Sequence, residues 1–157
     1  MRRAAIRTVL IAALAVAGCD RIFASQPTVQ DLVGVYRLTA ASEEFLRTTK
    51  RYRVIPRSEV ELKSDLRISI RSLPDCAVNG FGDSGGAFLS GDGRWRVEND
   101  FVGYRISLEI EPGGSLKEGG YGGSWMVIRR RSAPHLLEIT VGDPDSGESI
   151  RYARHSS

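Results

Sequence analysis

Apolar residues alternate with charged ones over long stretches of this chain, and few folds accept that pattern. Val60 and Leu62 alternate with Glu61 and Lys63, and Leu66, Ile68 and Ile70 alternate with Arg67, Ser69 and Arg71. The same period returns where Trp95 and Val97 stand between Arg94, Arg96 and Glu98. It returns again where Tyr104, Ile106, Leu108 and Ile110 are interleaved with Arg105, Ser107, Glu109 and Glu111. Successive side chains of a strand point to opposite faces, so each segment predicts a strand with one apolar and one solvated face, as in antiparallel sheet. Leu32 to Leu38, Trp125 to Arg130, His135 to Val141 and Ser149 to Arg154 are rich in branched and aromatic residues and bring the count to about eight strands.

One helix interrupts the series. Ser42 is placed as an N-cap, Glu43 and Glu44 fall in a first turn, Phe45 and Leu46 form an apolar side, and Lys50 and Arg51 close the segment. Acid at the start and base at the finish suit the helix dipole and predict a short helix over residues 43–52. Of the 17 glycines, 13 lie between Gly80 and Gly123, which predicts flexible stretches over 79–93 and 112–123.

Short antiparallel strands in sequence, a helix after the first, and glycine-rich turns predict a mainly β fold: a small meander barrel. A β-sandwich with a flanking helix is the alternative. The layout resembles that of the calycins, whose barrels hold small apolar ligands. The resemblance is architectural, since the Gly-x-Trp that opens the first strand of true lipocalins occurs here as Gly93-Arg94-Trp95 in the fourth.

The N-terminal segment addresses location. Arg2, Arg3 and Arg7 precede an uncharged apolar run from Thr8 to Ala17, the layout of a secretory signal peptide. As a helix this run would span roughly 15 Å, half of a hydrocarbon core of roughly 30 Å, so it is too short to anchor the protein itself. The run ends Val16-Ala17-Gly18-Cys19, which resembles the lipobox of bacterial lipoproteins. That resemblance implies cleavage before Cys19, acylation of its sulfur and new amino group, and attachment to a membrane on the periplasmic side. Asp20 resembles the signal that retains some such proteins at the inner membrane. The chain then divides into a signal peptide over 1–18, a lipidated cysteine and tether over 19–30, and a single domain over 31–157.

Three of the 22 Lys and Arg residues lie before Cys19, leaving 19 against 19 Asp and Glu. The mature part is formally neutral, which argues against a nucleic-acid partner. Cys76 is then the one remaining thiol, so the core must hold the fold without an internal disulfide, and a small buried apolar role suits it. The expected partners are the membrane, through lipid on Cys19, and either a small apolar ligand or another envelope protein. No cofactor is implied.

Gly82-Asp83-Ser84-Gly85-Gly86 resembles the nucleophile segment of chymotrypsin-like proteases, in which glycine N–H groups line an oxyanion hole. In that family the general-base histidine precedes the serine. The two histidines here, His135 and His155, both follow it, and the family's pair of barrels needs a longer chain than this one. A rearranged triad would have to use His135. A hydrolase using Ser84 or Cys76 is therefore the disfavoured alternative, and the expectation is a non-enzymatic binding or interaction module. Asp143, Asp145 and Glu148 lie close together in Gly142-Asp143-Pro144-Asp145-Ser146-Gly147-Glu148, a weak likeness to the start of a calcium loop. A hairpin turn accounts for the same residues. The part from Leu73 onward resembles small exported bacterial proteins of unassigned function, a resemblance that implies no activity.

Overall fold

Strands with one apolar face must bury it, and a meander of about eight can do so by curling until its two edges meet. The computed structural model describes residues 26–78, 84–100, 103–116, 125–129, 134–141, 145 and 147–156, and it shows that closure. Strands β1 (Gly34–Leu38), β2 (Glu59–Leu62), β3 (Arg67–Pro74), β4 (Phe88–Asp100), β5 (Gly103–Ile110), β6 (Trp125–Arg129), β7 (Leu136–Thr140) and β8 (Ser149–Arg154) follow one another around a closed antiparallel barrel. β8 returns to β1, with Ala153 opposite Arg37 and Tyr152 opposite Leu38. The small meander barrel is thus the fold, and the sandwich is set aside.

The inward faces are filled. Tyr36, Val60, Ile70, Ile106, Leu137, Ile150 and Tyr152 have no solvent exposure. Buried hydroxyls need partners, and these have them: Tyr36 donates to the Leu32 carbonyl at 2.8 Å, and the Tyr152 and Ser58 hydroxyls lie 2.7 Å apart. Trp95 is buried as its alternation requires, and its indole N–H donates to the Lys63 carbonyl at 3.2 Å.

Several local expectations are corrected. Leu32 does not begin β1; it ends a short helix, α1 (Val29–Leu32), because Thr28 and Asp31 form a reciprocal capping box. The helix after β1, α2 (Ala40–Thr48), starts earlier than the acidic pair suggests and stops before Arg51. Its N-cap is Thr39, whose hydroxyl accepts from the Ser42 N–H at 3.3 Å. Ser42 is buried instead, and its hydroxyl accepts from the Arg151 N–H of β8 at 2.9 Å, tying helix to barrel. Residues 88–93 are not part of a flexible stretch but the first half of β4. A Cβ at Gly93 would run into the Glu109 carbonyl oxygen of β5, so glycine there permits close strand approach. Across the same hairpin β3 carries a bulge between Ile70 and Leu73, with Ser72 at φ 55° and its N–H bonded to the Ser90 hydroxyl. Such a bulge bends a strand into a barrel wall.

Alternating strand direction sorts the connections between two ends. The β1–β2, β3–β4, β5–β6 and β7–β8 connections share one, here called the loop end. The β2–β3, β4–β5 and β6–β7 connections share the other with α1 and residues 155–156, here called the N-terminal end.

Candidate functional site

A cluster of buried polar groups at the loop end surrounds Asp75, just beyond β3. Its carboxylate is buried, and among the described residues three donors converge on it. The Tyr52 hydroxyl donates to Oδ1 at 2.5 Å, while the Gly85 and Ala87 N–H groups donate to Oδ2 at 2.7 and 3.1 Å. The Tyr52 oxygen in turn accepts the Cys76 N–H at 3.0 Å. Tyr52 is held by its ring as well, edge-on to Phe88 with centroids 5.4 Å apart. Burial pushes the Tyr52 hydroxyl well above the usual phenol range, and donation to Asp75 pushes it further, because ionisation would break that bond.

Ser84 lies in the same cluster. Arg51, which follows α2, donates through Nη1 to the Ser84 carbonyl at 2.9 Å and to its Oγ at 3.1 Å. Gly86 takes φ +80°, and a Cβ there would meet the Arg51 carbonyl oxygen, so only glycine lets the loop lie against the end of α2. The environment differs from a protease nucleophile's on two counts. A guanidinium faces the hydroxyl, and it offers donors but no acceptor for the hydroxyl proton. The Gly85 N–H, of the kind that would line an oxyanion hole, is directed instead at Asp75.

The residues singled out in the sequence divide between the two ends. His135 is buried in the β6–β7 connection at the N-terminal end, whereas Ser84 and Cys76 belong to the β3–β4 connection at the loop end. The Ser84–His135 pairing that a rearranged triad needs is therefore not assembled. His135 stands near Asp31 instead. The Asp31 carboxyl is held below its usual range, first by the Thr28 hydroxyl and N–H, with His135 and Arg154 adding attraction. Cys76 is buried, and that burial pushes its thiol up to about 11.

Asp145 and Glu148 are exposed in the β7–β8 connection, where the Val141 N–H bonds the Glu148 carbonyl at 3.0 Å in the manner of a hairpin closure. Among the described residues no three His, Cys, Asp or Glu side chains come together as a metal site would require. Cys19, Asp20 and Asp143 lie outside the described residues. Asp75, Tyr52 and Arg51 are the site residues that the sequence does not single out. Pro74-Asp75-Cys76 hints at a turn, but the carboxylate's partners become neighbours only through the β3–β4 register.

Fold and site together define a small up-and-down antiparallel barrel with a buried carboxylate clamping one of its loops. Comparison with protein-family models, with curated proteins and with solved structures finds no match for the chain.

Proposed function

We propose that this chain is a lipid-anchored protein of the bacterial envelope, attached through Cys19, and that its barrel is a non-enzymatic interaction module whose loop end meets a protein partner. The observation that carries this reading is the division of the barrel between its two ends. The segment leading back to Cys19 joins at the N-terminal end, and the four longest connections, with α2 among them, gather at the other. A barrel tethered in this way presents its loops away from the bilayer. Val54, in the β1–β2 connection at the loop end, is 78% exposed, and an apolar side chain so placed suits a protein contact. A protein partner is favoured over a small apolar ligand because inward side chains as large as Tyr36, Met126 and Tyr152 occupy the interior.

The test has two arms. Labelled palmitate should enter the wild-type protein and be lost in Cys19→Ser; label retained in that variant would remove the anchor. A photo-crosslinking residue at Val54 should give one discrete protein adduct in intact cells, whereas one at Arg105 on the barrel wall should not. Lack of an adduct from the loop end, with palmitate still bound, would leave a purely structural envelope role.

A further inference from the structure

The N-terminal end carries an exposed leucine beside exposed arginines. Leu66, in the β2–β3 turn, is 40% exposed and adopts φ 64°, which holds its side chain out. Beside it Arg67 of β3 stands directly opposite Arg94 of β4, and both are exposed. Neither makes an ion pair among the described residues. Like charges directly opposed on neighbouring strands repel, and an anion seated between them removes that repulsion. Arg96, two residues along β4 on the same face, has a side chain that is 70% exposed and paired with Glu98 at 2.6 Å. The acidic groups nearby are engaged: Glu98 also receives Arg105 at 3.2 Å, Glu61 faces Lys63 at 3.6 Å, and Asp65 accepts the Arg67 N–H. Glu109 of β5 stands directly opposite Arg94 on the side away from Arg67, and it lines a cleft of about 470 Å³ together with Leu66, Arg94 and Arg96.

A second cleft, of about 450 Å³, shares Leu66 and Arg96 with the first and runs along Gln26 to Val29. The chain towards Cys19 thus leaves the barrel beside this surface. Six residues lie between Cys19 and Gln26, and the seven steps from one to the other can span at most about 25 Å. A lipid on Cys19 therefore keeps this end of the barrel within reach of the headgroups around it.

We propose that Leu66, Arg67, Arg94 and Arg96 form a membrane-docking surface that seats the N-terminal end of the barrel on anionic phospholipid headgroups. The arginines take the phosphates, Leu66 enters the interface, and the loop end is held outward. This rests on the lipid anchor proposed above. Arginine suits the task because its planar fork matches phosphate oxygens and it is less strongly hydrated than lysine.

The test uses the mature lipidated protein in vesicles of phosphatidylethanolamine with phosphatidylglycerol, carrying an environment-sensitive dye on Ser64→Cys in the β2–β3 turn or on Val54→Cys at the loop end. Buried Cys76 stays unlabelled. A lipid-borne quencher should remove most of the fluorescence from the Ser64 position and little from the Val54 position. Arg67→Gln with Arg94→Gln should reverse the Ser64 quenching, and their thermal unfolding should show the barrel intact, since removing opposed charges relieves strain. Equal quenching at both positions, or an unquenched Ser64 dye on protein that floats with the vesicles, would overturn the docking surface alone. Undiminished quenching on phosphatidylcholine vesicles would overturn the role of anionic headgroups. Protein that fails to float would overturn the anchor and the docking together.

Discussion

Asp75 and Ser84 show how differently two residues of one cluster contribute. Removing the Asp75 side chain would leave the Tyr52 hydroxyl and two loop N–H groups without their acceptor in a buried place. Asp75→Ala should therefore cost about 2 to 3 kcal/mol or more in urea unfolding, whereas Ser84→Ala should cost about 1 kcal/mol. A fluorophosphonate probe should leave Ser84 unlabelled; stoichiometric labelling abolished by Ser84→Ala would overturn the non-enzymatic reading. Cys76, its thiol pushed up to about 11 by burial, should react with a thiol reagent near neutral pH only after unfolding. Rapid labelling of the folded protein would show that the strand end opens. The glycine loop around Ser84 is legible from its composition. Asp75 is not, because nothing local distinguishes a clamping carboxylate from one that caps a turn; its partners, ten and twelve residues on, arrive with the hairpin register.

At the level of elements, period-two patterning carried most of the architecture. Ile106 is fully buried, while its neighbour Arg105 sits on the outer wall within reach of Glu98. Ile106→Ala should lower stability by about 2 to 5 kcal/mol, and Arg105→Ala by about 0.5 kcal/mol. Equal losses in a urea titration would mean that β5 is buried on both faces. Trp95, Ile106 and Leu108 are buried as their alternation predicts, while Tyr104 is half-buried near the strand's start. The register sets Trp125 opposite Ser107 and Met126 opposite Ile106, so Met126 is the β6 residue in phase with the core. That phase was not legible because Trp-Met-Val-Ile is apolar on every position, and continuous apolar runs carry no period. The glycines of β4 misled for a related reason. Gly91 and Gly93 read as turn residues, yet Gly93 permits close approach of the β5 backbone and Gly91 leaves room for the Leu116 side chain, needs that only the pairing reveals.

For the whole molecule, pH acts on the barrel from both sides. On the acid side the main group is Glu138, on the outer wall of β7 with its side chain 7% exposed. Burial alone would raise its carboxyl, but Arg151 and Arg129, each 2.7 Å away, outweigh that and hold it below the usual range. A depressed carboxyl adds stability above its unfolded value, near 4.3, and that stability is lost as pH falls through the folded value. Glu138→Gln should cost about 1 to 2 kcal/mol at neutral pH and flatten the acid limb of the stability curve.

On the alkaline side the sign reverses, because burial favours the neutral form of a phenol or thiol. It raises the Tyr36 hydroxyl to about 12, and it raises those of Tyr52 and Tyr152 too. The unfolded chain ionises its tyrosines near pH 10 and its cysteine near 8.5, so these groups add stability below those values and withdraw it as pH rises above them. Each group that ionises only in the unfolded chain lowers stability by roughly 1.4 kcal/mol per pH unit. Tyr36, Tyr52, Tyr152 and Cys76 act together above pH 10, at a combined slope that exhausts the stability of a typical domain, roughly 5 to 15 kcal/mol, within a few units. Tyrosinate absorbance should accordingly rise in two stages. The second stage is that of the buried phenols and coincides with loss of the barrel's circular dichroism. Tyr36→Phe should shift that second transition to higher pH provided its buried ring stays packed, because one of the ionising groups is gone. A smooth single-stage titration with the dichroism unchanged would mean that the buried tyrosines reach solvent without unfolding, and the filled interior would have to be abandoned.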